Sequence, residues 1–167
     1  MMNENYLARI FEQNNWANQE IIEVCLTLTD EQLDAVPTSA TYGTIRETLL
    51  HLIASQKGYL RTLFLPLEVR RDPVTLTLEE VQESATESGQ AFLAIARDPS
   101  SIDGMTKLRT WDDYIVEPWV LMVQIINHGT EHREQIKSML TAMGITPPQI
   151  DGWYYGEATG TVFKIES

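Results

Sequence analysis

Apolar side chains recur three and four positions apart along most of this chain, and four stretches hold that rhythm long enough to predict α-helices. The first runs from about Tyr6 to Leu28, with Leu7, Ile10, Phe11, Ala17, Ile21, Val24, Cys25 and Leu28 on its apolar side and Gln13-Asn14-Asn15 interrupting it. Asn15, Trp16 and Asn18 bring two amides and an indole, suited to packing and capping a helix seam or to hydrogen bonding in a cavity. Thr29-Asp30-Glu31-Gln32 predicts a short capped turn of helix, which Pro37 ends. After the loop Thr41-Tyr42-Gly43-Thr44, the pair Thr44 and Glu47 forms a capping box that opens a second helix. Ile45, Leu49, Leu52, Ile53, Leu60 and Leu63 carry it to Leu65 before Pro66.

Leu67 to Thr75 reads as a polar connection long enough to cross the end of a bundle. Thr77 and Glu80 repeat the capping-box pattern and predict a third helix to about Ala96, with Val81, Ala85, Phe92 and Ile95 on its apolar side. Asp103-Gly104 is a turn, and Trp111-Asp112-Asp113-Tyr114 joins two short extended segments as a hairpin. Pro118 suits the first position of a fourth helix, because its missing N–H has no partner there anyway. Trp119, Leu121, Met122, Ile125, Ile126, Ile136, Met139 and Leu140 carry that helix to a stop at Gly144, with Pro147 and Pro148 beyond. The tail from Gln149, with Trp153-Tyr154-Tyr155, is too aromatic for a free end and is expected to pack on the helices. An all-α, single-domain bundle over residues 1–167 follows, with long connections and a short hairpin before the last helix.

Composition narrows the class of function. With 12 basic against 24 acidic residues and a net charge of −12, the chain repels a phosphate backbone, so nucleic acid is not an expected partner. No run of about 18 apolar residues and no basic-then-apolar leader occur, so no membrane partner is expected and the cytoplasm is the default compartment. Cys25 is the sole cysteine and reads as a small core residue.

The candidate chemistry lies in Asn127-His128-Gly129-Thr130-Glu131-His132-Arg133-Glu134-Gln135-Ile136. An α-helix turns about 100° per residue, so His128 and His132 share one face, where their ring nitrogens can converge on a transition metal. His51 is the one remaining histidine of the three, flanked on its own helix face by the small residues Thr48, Ser55 and Gly58. Gln124, His128, Glu131, His132 and Gln135 make a polar stripe on an otherwise apolar helix, costly to bury without partners or a cation. Glu131 is a candidate general base or orienter, and Gln135 a pocket candidate alongside Asn15. Arg133 and Glu134 are expected on the solvated or dimer-facing side. His128-Gly-Thr-Glu131-His132 also matches the H-x-x-E-H pattern of some zinc peptidases, which calls for a further carboxylate ligand such as Glu157 and leaves His51 without a purpose.

Four capped helices, a histidine in the second and His-x-x-x-His in the fourth followed by Arg-x-Gln resemble the DinB/YfiT-like family of bacterial metal-binding four-helix bundles. The specific points are Asn15-Trp16-Ala17-Asn18, Leu50-His51-Leu52-Ile53, Arg109-Thr110-Trp111-Asp112, the segment from Asn127 to Ile136, and the close from Pro147-Pro148 to Tyr155. The resemblance implies an unusual helix order with long crossovers, frequently a homodimer, and a divalent metal held by His51, His128 and His132. Zinc or nickel leads, with iron and manganese as further candidates. Some relatives are thiol-dependent transferases or isomerases and several belong to stress or DNA-damage responses. The expectation is therefore a metal-dependent transferase or hydrolase acting on a small molecule, with a low-molecular-weight thiol as cosubstrate, in stress response or detoxification. The alternative is a metal- or ligand-binding dimeric stress protein without turnover.

Overall fold

The structure, a computed structural model, describes residues 5–36, 42–70, 72–110 and 112–165. In chain order it forms α1 (Tyr6–Leu26), α2 (Asp30–Leu33), α3 (Ile45–Phe64), α4 (Leu67–Arg70), α5 (Val81–Arg97), a 3-10 turn (Pro99–Ile102), β1 (Leu108–Arg109), β2 (Ile115–Val116), α6 (Pro118–Ala142) and α7 (Gly152–Ala158). The long helices α1, α3, α5 and α6 make the bundle. Each of α1 and α3 packs along both α5 and α6, so α1 lies diagonally across from α3, and α5 from α6. Two of the three successive pairs, α1 with α3 and α5 with α6, are thus diagonal, and the segments joining them must cross an end of the bundle, whereas α3 and α5 are neighbours.

Local chemistry sets most boundaries. Thr44 accepts from the Glu47 N–H at 3.2 Å while the Glu47 carboxylate accepts from the Thr44 N–H at 2.8 Å, the reciprocal cap expected for α3. Thr29 and Gln32 do the same for α2. At the end of α6, Gly144 takes φ +75°, its N–H meets the Thr141 carbonyl, and the Ile145 N–H reaches the Leu140 carbonyl, which satisfies two of the last-turn acceptors. The hairpin exists: Leu108 pairs with Val116 and Arg109 with Ile115, antiparallel.

Several expectations change. α1 stops at Leu26, two residues early, where the Thr27 N–H turns back to the Val24 carbonyl and the Leu28 N–H to that of Cys25. The Thr77–Glu80 pair does not start α5; Glu80 accepts from the Thr77 N–H at 2.8 Å, but Glu80 itself is the N-cap without a side-chain cap, and the helix begins at Val81. The polar connection after α3 contains the short helix α4. Leu7 and Ile10 are 40% and 47% exposed, because Ala8, Phe11, Asn14, Ala17 and Asn18 hold the inward positions of α1. Pro37, Thr41 and Trp111 lie outside the described residues. The aromatic tail packs only in part: α7 is capped by Asp151 and Tyr155 meets Trp16 with ring centroids 5.4 Å apart, whereas Trp153 and Tyr154 are exposed.

The buried apolar residues fall into two clusters. One contains Ile21, Cys25, Leu49, Leu52, Ile53, Ile136 and Leu140; the other contains Phe11, Leu63, Phe92, Leu121 and Ile125. Between them, Asn14, Asn18, Gln56, Ser88, His132 and Arg133 are buried polar groups, so a polar layer divides the core at mid-bundle. Leu49 is fully buried in the first cluster. Leu49→Ala is expected to lower unfolding free energy by about 2–5 kcal/mol in urea titration, from lost burial and a residual cavity. Val36→Ala, at a side chain 86% exposed, should stay within about 0.5 kcal/mol.

Candidate metal centre

Three histidines from two helices meet beside this layer. His51 comes from α3, and His128 and His132 come from one face of α6 one turn apart. His128 Nε2 stands 3.2 Å from His51 Nε2 and 3.1 Å from His132 Nε2. Nitrogens bound to one ion at about 2.0–2.1 Å stand about 3 Å apart for bond angles between square and tetrahedral, so the three rings fit the donor set of a divalent transition metal. Gln135, three residues after His132, presents Oε1 to His132 Nδ1 at 2.8 Å. Nδ1 therefore carries the hydrogen and donates it, which leaves the lone pair of neutral His132 on Nε2, facing the other two rings.

The surroundings favour uncharged imidazoles. Burial, with the neighbouring His132 and then His51 adding to it, pulls His128 down to about 4. His51 is lowered too, by burial first and by His132 second. Lone pairs facing one another at these distances repel unless a proton or a metal ion lies between them. Among the described residues the group is purely histidine: no carboxylate or thiol joins it. Cys25 is buried and its thiol is pushed up to about 12 by desolvation, so it supplies no thiolate at neutral pH.

The DinB family model matches residues 1–165, with the three histidines inside that span. This chain belongs to the DinB family. It is 20% identical to Protein DinB of Bacillus subtilis (strain 168) over 162 residues, covering 90% of this chain and 94% of that protein. Two crystal structures share the fold. One is a candidate DinB family member of Exiguobacterium sibiricum 255-15, with TM-score 0.64, 15% identity and coverage of 89% of this chain and 98% of that one. The other is a DinB-like protein of Bacillus cereus ATCC 10987, with TM-score 0.63, 19% identity and coverage of 87% and 95%.

Within this DinB fold the candidate residues separate. His51, His128 and His132 converge, and Gln135 joins them as the group that orients His132. Glu131 is exposed and outside the group, as is Glu157 on α7, so the carboxylates that the zinc-peptidase pattern requires are not assembled. Asn15 turns to α5, where its amide donates to the Gly89 carbonyl at 2.9 Å, and lies apart from the histidines. Arg133 corrects its expected place outright: it is 3% exposed, on the inward side of α6 against Asn14 and Asn18. Glu134 is exposed and pairs with Lys137 at 2.8 Å. Of the small residues flanking His51, Gly58 faces open space, whereas Thr48 is packed and bonds its hydroxyl to the Thr44 carbonyl.

Two aromatic walls were not anticipated. Tyr42 stacks on His51 with centroids 4.0 Å apart and planes 16° off parallel, and meets His132 edge-on at 5.6 Å. Tyr59 meets His128 edge-on at 5.9 Å. Tyr59 follows His51 by eight residues, just over two helical turns, so its side of α3 was readable; Tyr42 sits in a loop, where periodicity says nothing.

The lowered His128 fixes the sign of a pH effect. Its folded value of about 4 lies below the ordinary 6.5, so between those limits the unfolded chain binds more protons. Stability of the metal-free protein is fully present above about pH 6.5 and is lost as pH falls toward 4. Urea titrations in chelator from pH 7.5 to 4 should show that decline, and His128→Asn should flatten it. An equal slope in wild type and variant would contradict the assignment.

Proposed function

We propose that this DinB family protein is a metal-dependent enzyme in which His51, His128 and His132 hold a divalent transition metal, and that it acts on a small molecule as a thiol-dependent transferase or hydrolase. The observation that carries the reading is the approach of three ring nitrogens to 3.1–3.2 Å of their neighbours, with Gln135 fixing the tautomer of His132. Zinc or nickel suits an all-imidazole set best, and iron or manganese remains within its range. When bound, such an ion supplies Lewis acidity, lowering the pKa of a water or thiol beside it. The chain's own residues disfavour the charged forms of His51 and His128, set the His132 lone pair inward and line the group with Tyr42 and Tyr59. Because Cys25 is buried, a reacting thiol must come from a cosubstrate. The same reading makes the protein a cytoplasmic homodimer serving stress response or detoxification.

A binding protein without turnover is the second reading, and the exposure of Glu131 favours it, since no carboxylate base belongs to the group. Monochlorobimane offered with low-molecular-weight bacterial thiols discriminates the two. Metal-loaded protein should accelerate conjugation, and either chelator or His132→Ala should return the rate to that without protein. Metal retention with no transfer to any electrophile of a broad panel would favour the binding protein.

A further inference from the structure

A guanidinium is an expensive group to place between two apolar clusters, and at Arg133 the exposed neighbour Glu134 offsets that cost only in part. Its Nη1 donates to Asn14 Oδ1 at 2.9 Å and to Asn18 Oδ1 at 2.6 Å, and its Nη2 donates to Thr130 Oγ1 at 3.3 Å. None of the salt bridges among the described residues includes it. Neutral amide oxygens compensate a buried cation only in part, so apolar side chains in place of Arg133 and its amide partners together would be no less stable here. Two neighbours are adapted to the guanidinium all the same. Asn14 keeps its oxygen on Arg133 although its Nδ2 is buried without a partner. Gly129, one turn earlier on α6, leaves the room that Arg133 occupies: a Cβ there would stand 2.8 Å from Arg133 Nη1 and 2.9 Å from Asn14 Oδ1. A glycine inside a long helix is itself unfavourable, and here it is matched to one contact.

The hydrogen bonds do not stop at α1. Asn18 Nδ2 donates to Gln56 Oε1 on α3 at 3.1 Å, across the diagonal of the bundle. Gln56 Nε2 donates to Ser88 Oγ on α5 at 2.8 Å, and the Ser88 hydroxyl donates to the Ser84 carbonyl. One chain of donors and acceptors therefore joins all four long helices at mid-height. Apolar clusters resist separation of helices but tolerate small rotations, since dispersion contacts are non-directional. Hydrogen bonds with fixed donor and acceptor directions do not. Arg133 follows His132 directly, and Gln56 lies on α3 five residues after His51. Any rotation of α6 or α3 that misaligned a histidine would also strain this chain.

We infer that Arg133 is a positioning residue for the three-histidine group: through Asn18 and Gln56 it fixes the rotation of α6 relative to α3, and so the meeting of His51 with His128 and His132. This rests on the metal-holding role proposed above.

Cobalt(II) alone, titrated into the full chain against a chromophoric chelator, reads affinity from the competition and geometry from the visible spectrum. Arg133→Met and Asn18→Leu are expected to keep helical circular dichroism and cooperative urea unfolding, yet to bind cobalt about 10–100-fold more weakly with shifted visible bands. Asn18→Asp keeps an acceptor for Arg133 but loses the Nδ2 donor to Gln56, so it should weaken binding as Asn18→Leu does, and Gly129→Ala, which crowds the guanidinium, should weaken it despite the better helix former. Folded Arg133→Met with wild-type affinity and spectrum overturns the inference; if that variant fails to fold, Asn18→Leu decides by the same criteria. A wild-type chain that binds no cobalt overturns the metal reading itself, whereas tight wild-type binding with indifferent variants overturns the positioning role alone.

Discussion

The packing of α3 along α6 has to bring three imidazole nitrogens, two from one helix and one from another, within 3.1–3.2 Å of their neighbours. Nothing in helix propensity or apolar burial asks for that. Lone pairs so close are mutually repulsive, and burial removes the water that would screen them. The arrangement makes physical sense when a cation is what the nitrogens face, because the same desolvation that lowers His51 and His128 keeps them as neutral ligands at physiological pH. Gln135 completes the logic by holding the proton of His132 on the far nitrogen.

The rest of the fold serves that meeting. Diagonal placement of α1 with α3 and of α5 with α6 puts α3 and α6 side by side, although more than 50 residues separate their ends in sequence. The connections must then be long. They carry α2 and α4, the 3-10 turn and the hairpin, which bring hydrogen-bonded backbone to segments that would otherwise cross as bare loop. The two apolar clusters supply the cohesion, and the layer between them gives up some of it for direction. A continuous apolar core would pack at least as well and would leave the helices freer to rotate.

Helix starts were legible where the cap is a local event. Thr44 with Glu47 and Thr29 with Gln32 act within four residues, so spacing alone locates them. Thr77 with Glu80 has the same letters and fails as a cap, because only one of its two hydrogen bonds forms with helical geometry. The histidine pair was legible from the helical period, and the partnership with His51 from the family resemblance, since no local rule links α3 to α6. Arg133 was misread for a general reason: composition places an arginine outside, and only tertiary contact shows that Asn14 and Asn18, on the inward stripe of α1, are its partners. Tyr42 was invisible because a loop residue carries no period, and its stacking on His51 depends on how the loop returns to the bundle.

Whether these three imidazoles form one metal site is decided by calorimetric titration of chelator-stripped protein with zinc. One ion should bind per chain, and the strong binding phase should be lost in each of His51→Ala, His128→Ala and His132→Ala. Binding that survives removal of His51 unchanged, or no saturable binding at all, would contradict a shared site.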